Sequence, residues 1–210
     1  VNAVGTENSG KNIYALDGAS RVYDANGKVA FRMEQFKAGE ALVEIRNGKV
    51  KALPLNGKPA PKSAKPAERI AQIHDALVYM IRENLVRFHI ARMVIGASGG
   101  IDSAVSAVLY AEAIGPENVY LVNMPTRFNS DTTKNAARDL AKNLKTPYMV
   151  APISDMLNAV CDSLGKCEFV RSDKKIKVEG LNYENLQART RSASVLLTVA
   201  SVLGAGVTCN

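Results

Sequence analysis

No run of about eighteen apolar residues occurs in the 210-residue sequence, and no signal-like start precedes it, so a cytoplasmic protein without a membrane partner is expected. Cysteine is scarce. Cys161, Cys167 and Cys209 are odd in number and match no zinc-ligand spacing, so they read as incidental thiols of a reducing compartment. A net charge of +7 would suit an anionic ligand or nucleic acid, but the basic residues never gather into one block, and no nucleic-acid partner is expected. Histidine is limited to His74 and His89, both on or beside a predicted helix and read as packing or surface groups. No lysine follows the glycine pair Gly99-Gly100, which excludes the pattern G-x-x-x-x-G-K-[ST]. Ala97 and Ser98 separate Gly96 from Gly99, which excludes G-x-G-x-x-G. The two commonest phosphate loops are therefore absent.

What is there is a globular composition, 47% hydrophobic, long enough for one domain and part of another. Its organising stretch is Arg92-Met-Val-Ile-Gly96-Ala97-Ser98-Gly99-Gly100-Ile101-Asp102-Ser103. Residues 92–96 read as a short buried strand, and Ala104, Val105, Val108 and Leu109 recur at helical spacing after Ser103. The turn between them is a strand-to-helix junction where two glycines let backbone approach a ligand and the first helical N–H groups face an anion. Asp102 would repel a phosphate unless a divalent cation bridged the two, which brings Mg²⁺ into the expectation. The plainer alternative is an ordinary glycine-rich turn. Two glycines, two serines and an aspartate meeting at one such junction favour the anion site.

Residues 1–53 read as β-rich, with short segments at 12–16, 21–24, 29–33, 41–45 and 50–53 and hairpin cues at Asn26-Gly27 and Asn47-Gly48. Residues 54–66 carry four prolines and three lysines and read as a linker. From Ala67, the spacing of Ile70, Ile73, Leu77, Ile81, Leu85 and Phe88 predicts an amphipathic helix. Helix 102–114 then ends at Gly115-Pro116. Strand 119–122, helix 134–144, strand 147–152 and helix 156–164 follow. This alternation predicts an α/β fold, a parallel sheet with helices on both faces, with ligands bound beyond the carboxyl ends of the strands. Met124-Pro125 would stand there beside the glycine-rich turn. The polar stretch 167–177, with Arg171, Lys174, Lys175 and Lys177, reads as a solvated surface turn or a mobile loop. A long helix at 182–203 closes the pattern, with Asn185 and Arg189, and Gln187 and Arg191, four apart. Their guanidinium groups suit carboxylate or phosphate recognition or simply a capped surface helix.

Ser98-Gly99-Gly100-Ile101-Asp102-Ser103 resembles the pyrophosphate loop of the ATP pyrophosphatase family, whose members split ATP between its α and β phosphates. Glu184-Asn185-Leu186-Gln187-Ala188-Arg189-Thr190-Arg191 is similar to the E-N-x-Q-A-R-x-R stretch of the glutamine-dependent NAD synthetases. Val1-Asn2-Ala3-Val4-Gly5, Asp17-Gly18-Ala19-Ser20 and Asp24-Ala25-Asn26-Gly27 look like the end of a nitrilase-type glutaminase domain. Phe128-Asn129-Ser130 departs from the family, which shows a serine pair between Pro125 and Thr132. The family's G-N-K-[ST]-E segment has no counterpart up to Asn210, and with Val1 in place of a methionine this raises the expectation of a fragment that does not turn over alone.

The resemblance implies a Rossmann-like fold of the adenine nucleotide alpha hydrolase type at 67–210, a linker at 54–66 and a glutaminase tail at 1–53. It implies ATP-dependent amidation of deamido-NAD through an acyl-adenylate, with nitrogen from glutamine or free ammonia and release of AMP and pyrophosphate. ATP would be held by Gly96, Ala97, Ser98, Gly99, Gly100, Ile101, Asp102, Ser103, Met124 and Pro125, with Asp102 on Mg²⁺. Asn185, Arg189 and Arg191 would meet deamido-NAD or the interface of a homodimer. No side chain is needed as a general base. Two other readings compete: a related ATP pyrophosphatase acting on a nucleotide or tRNA, and a nucleotide-binding regulatory module without catalysis.

Overall fold

The computed structural model describes residues 1–9, 12–126 and 131–208, and the chain divides into two compact units, Val1–Arg87 and Phe88–Asn210. The first unit contains three antiparallel hairpins. Strand β1 (Val4–Asn8) pairs with β2 (Ile13–Asp17), β3 (Arg21–Tyr23) with β4 (Val29–Arg32), and β5 (Leu42–Arg46) with β6 (Lys49–Leu53). The Asn47-Gly48 turn behaves as its sequence predicts: both residues have positive φ (50° and 74°) and Arg46 pairs directly with Lys49. Asn26-Gly27 works differently. Only Gly27 has positive φ, and the Asp24 carboxylate accepts the N–H groups of Asn26 and Lys28 at 2.9 Å each, making a longer loop with a register slip between Val22 and Tyr23. β1 is not among the predicted segments, because Gly5-Thr6-Glu7 offers no apolar alternation.

The proline-rich stretch 54–66 runs beside β4: Arg32 N–H donates to Ser63 Oγ at 3.1 Å and Ala64 N–H donates to the Arg32 carbonyl at 2.9 Å. Helix α1 (Arg69–Arg87) belongs to the same unit, donating from Arg87 Nη2 to the Thr6 carbonyl at 3.1 Å and stacking Tyr79 against Phe36 with centroids 5.3 Å apart. Of its predicted apolar stripe Leu85 is buried, while Ile70, Ile73 and Leu77 are exposed.

The second unit carries the parallel sheet. β7 (Met93–Gly96) leads to α2 (Ile101–Ile114), one 3₁₀ turn (Pro116–Asn118) and β8 (Val119–Asn123). Then come α3 (Asp131–Leu144), β9 (Tyr148–Val150), α4 (Ser154–Gly165), α5 (Leu181–Arg189), a π-helical stretch (Thr190–Leu196), α6 (Leu197–Leu203) and β10 (Gly206–Thr208). The strand order is β10-β7-β8-β9, and every pairing is parallel. Alternate residues of each strand face opposite layers. Val94 and Val122 pack with Leu157, Val195, Leu196 and Ala200, whereas Ile95, Val119 and Leu121 pack with Ala107, Ala111, Ala137 and Ala141. Helices thus cover both faces, as the strand–helix alternation predicts, and the fold is Rossmann-like.

The helix predicted at 182–203 is not continuous. Its middle widens into the π-helical stretch, where Ser192 Oγ donates to the carbonyls of Ala188 (3.1 Å) and Arg189 (3.4 Å) and so competes with the regular backbone ladder. The basic stretch 167–177 is an exposed turn bridged between Glu168 and Lys175, and Phe128-Asn129-Ser130 lies outside the described residues.

Candidate functional site

Strand order reverses direction at β7: the chain moves outward through β8 to β9 and then returns to place β10 on the other side. Such a switch point leaves a crevice beyond the carboxyl ends of the two central strands. A cavity of about 570 Å³ stands there, bounded by the turn after β7, the ends of β8 and β10, and one face of the α5–π-helix segment. That volume falls in the range of small-molecule and cofactor sites.

The turn is built around one glycine. Gly99 has φ +85°, and a Cβ there would lie 2.3 Å from the Thr133 carbonyl oxygen, so α3 backbone seats directly on it. Gly100, with φ −87°, is under no such constraint. Ser98 Oγ accepts the Gly100 N–H at 3.2 Å and stands 3.2 Å from Ser103 Oγ, which in turn donates to the Gly100 carbonyl at 3.0 Å. These short links fold the turn onto the first turn of α2. The N–H groups of Ser98, Ile101, Asp102 and Ser103 have no acceptor among the described residues, leaving a fan of donors at a helix N-terminus.

Of the residues singled out from sequence, Gly96, Ala97, Ser98 and Gly100 line the cavity, as do Asp102, Ser103 and Met124. Gly99 serves by its packing on Thr133; the Ile101 side chain is 74% exposed and does not line the cavity; Pro125 is buried and does not line it either. Arg191 is half-buried on the cavity wall, with Nε donating to the Met124 carbonyl at 3.4 Å. Asn185 and Arg189 are exposed and outside the cavity, and Arg189 Nη1 donates to the Asn185 carbonyl at 3.2 Å rather than to its side chain. Sequence reasoning missed Asn123, Ser192 and Thr208, which also line the cavity. Only Asn123 carried a usable signal, as a polar residue ending an apolar strand. Asp102 is the one carboxylate among the described lining residues, and no cluster of three metal-ligating side chains exists among the described residues.

With the site in place, comparison with known proteins becomes specific. The family model described as NAD synthase matches residues 73–206. The chain belongs to the NAD synthase family. The glutamine-dependent NAD(+) synthetase of Rhodobacter capsulatus is 31% identical over 196 residues, covering 93% of this chain and 34% of the relative. The NH(3)-dependent NAD(+) synthetase of Fusobacterium nucleatum is 31% identical over 113 residues, 54% of this chain and 44% of the relative. Among solved structures, the glutamine-dependent NAD+ synthetase of Acinetobacter baumannii in complex with ADP superposes with a TM-score of 0.80 at 27% identity, over 97% of this chain and 36% of that one. The chain therefore spans about a third of the length of the glutamine-dependent NAD synthases it matches. The family match begins inside α1, which packs with the hairpins of the first unit.

Proposed function

We propose that this chain carries the ATP-cleaving centre of a glutamine-dependent NAD synthetase, which converts deamido-NAD to NAD. The observation that carries the reading is the fan of N–H donors at the switch-point cavity, unpaired among the described residues and formed on a Ser-Gly-Gly-Ile-Asp-Ser turn. The nicotinate carboxylate of deamido-NAD attacks the α-phosphorus of ATP, the bond to the β-phosphate oxygen breaks, and pyrophosphate leaves. Ammonia then displaces AMP from the acyl-adenylate to give the amide. Charge builds on the leaving pyrophosphate, and fixed N–H donors meet it without reorganising. The Ser98 hydroxyl adds a donor, the Ser103 hydroxyl, donating to the Gly100 carbonyl, holds the turn in that shape, and Met124 with Pro125 forms the adenine side.

The cavity fits Mg²⁺ in one respect: this ion is commonly held by one or two carboxylates plus substrate phosphates, and Asp102 supplies one. When bound, the ion would neutralise charge on the phosphates. Arg191 would orient the phosphate or carboxylate of a substrate, while Asn185 and Arg189, exposed on the same helix, would meet the far part of deamido-NAD or a second copy of the chain in a homodimer. Residues 1–53 would be the tail of the glutaminase domain that supplies ammonia, residues 54–66 its linker, and 67–210 the synthetase part, acting in the cytoplasm.

The test is formation of NAD and AMP from deamido-NAD, ATP and ammonia by the full-length protein that carries this chain. Asp102→Asn is expected to lower the rate at least about a hundred-fold. Full activity in that variant overturns the metal role; ATP binding without pyrophosphate release favours a regulatory module; release only with another acceptor favours a different amidating enzyme.

A further inference from the structure

Asn123 closes β8 on the floor of the cavity, is 4% exposed, and has no counterpart in the roles assigned above. Its Nδ2 donates to the Ala97 carbonyl at 2.6 Å, crossing from β8 to the first residue of the glycine-rich turn. Because a backbone carbonyl only accepts, the amide nitrogen must be the atom that faces it. The Ala97 carbonyl takes no other hydrogen bond among the described residues, while the Ala97 N–H donates to the Val122 carbonyl at 2.9 Å. Asn123 is itself held from the far side, its carbonyl accepting the Ala151 N–H at 2.8 Å. Its Oδ1 is buried with no partner among the described residues, an arrangement that costs stability and serves no packing purpose an apolar residue would not serve better.

In a planar trans peptide the carbonyl and the next N–H point in opposite directions. Holding the Ala97 carbonyl against Asn123 therefore turns the Ser98 N–H away from β8, and that N–H has no acceptor among the described residues. We propose that Asn123 is a positioning residue that locks the Ala97–Ser98 peptide so that the Ser98 N–H is offered to pyrophosphate. This rests on the pyrophosphate role proposed for the turn. Without the lock the peptide is free to rotate about its flanking bonds, and one donor of the fan is lost from the ground state.

The experiment measures binding of inorganic pyrophosphate to the purified protein by calorimetry, normalised to the folded fraction from circular dichroism, for wild type, Asn123→Leu and Asn123→Asp. Asn123→Leu keeps the γ-branched shape, though it is larger, and removes the donor; its folded molecules are expected to bind pyrophosphate about ten-fold more weakly. Asn123→Asp has no donor when ionised, but a protonated carboxyl has the shape of the amide and an O–H for the Ala97 carbonyl, and burial favours that protonated form. Its affinity relative to wild type at the same pH is expected to recover as pH falls through the carboxyl's titration, with no such recovery in Asn123→Leu. If wild type binds pyrophosphate and folded Asn123→Leu binds it equally well, the positioning role is overturned while the pyrophosphate site stands. A relative affinity of Asn123→Asp that stays flat with pH at a level well below wild type also overturns it, whereas one that matches wild type throughout supports it, the buried carboxyl then keeping its proton. If wild type binds no pyrophosphate, the site reading and the positioning role fall together.

Discussion

Gly99 concentrates two demands that no other residue of the turn carries. Its φ of +85° is a conformation that L side chains rarely adopt, and any Cβ would enter the Thr133 carbonyl, backbone that cannot swing aside as a side chain could. Gly99→Ala should therefore separate α3 from the turn and cost about 1–3 kcal/mol of stability. Gly100→Ala, whose Cβ would meet only Ser98 Oγ at 3.3 Å, should cost less than about 1 kcal/mol. Denaturant melts of the two variants check the contrast, and equal costs would contradict it. The sequence shows two adjacent glycines and cannot rank them, since the neighbour that decides is Thr133, thirty-four positions downstream and invisible to any local pattern.

At the scale of elements, strands and helices of the second unit were legible because each carries its own period: β7 and β8 as short apolar runs, α2 and α3 as helical repeats ended by Gly115 and Lys145. The π-helical widening at Thr190–Leu196 was not, because hydropathy period does not report a hydroxyl taking a ladder carbonyl. Arg189 and Arg191 look interchangeable in sequence, yet Arg191 alone reaches the cavity, anchored on the Met124 carbonyl. Arg191→Lys loses the Nε hydrogen bond to the Met124 carbonyl while keeping the charge and should weaken ATP binding about ten-fold. Arg189→Lys should leave ATP affinity in place and raise KM for deamido-NAD. Equilibrium binding of ATP together with steady-state KM values separates the two arginines, and identical behaviour would mean that the helix acts as one surface.

For the whole molecule, local signals said least about how segments group. Pro- and Lys-rich composition marks 54–66 as a linker, whereas its backbone hydrogen-bonds to β4, and α1 clusters with the hairpins rather than with the sheet. Both depend on partners far away along the chain. The place of the cavity, by contrast, followed from topology alone, since a parallel sheet whose order reverses must open a crevice at the reversal. That sheet is also the wall between two cores, which makes its energetics testable. Ile95 and Leu121 pair in register and share the layer with α2 and α3, while Leu157 is fully buried in the opposite layer with Val94 and Val122. Each truncation to Ala should cost about 2–5 kcal/mol. Ile95→Ala with Leu121→Ala empties adjoining space in one layer and should deviate from additivity by at least about 0.5 kcal/mol, whereas Ile95→Ala with Leu157→Ala should add within about that amount. Urea melts of the single and double variants measure both cycles. Strong coupling between Ile95 and Leu157 would show that the backbone of β7 transmits relaxation from one core to the other, so that the turn at its carboxyl end senses the packing of both layers.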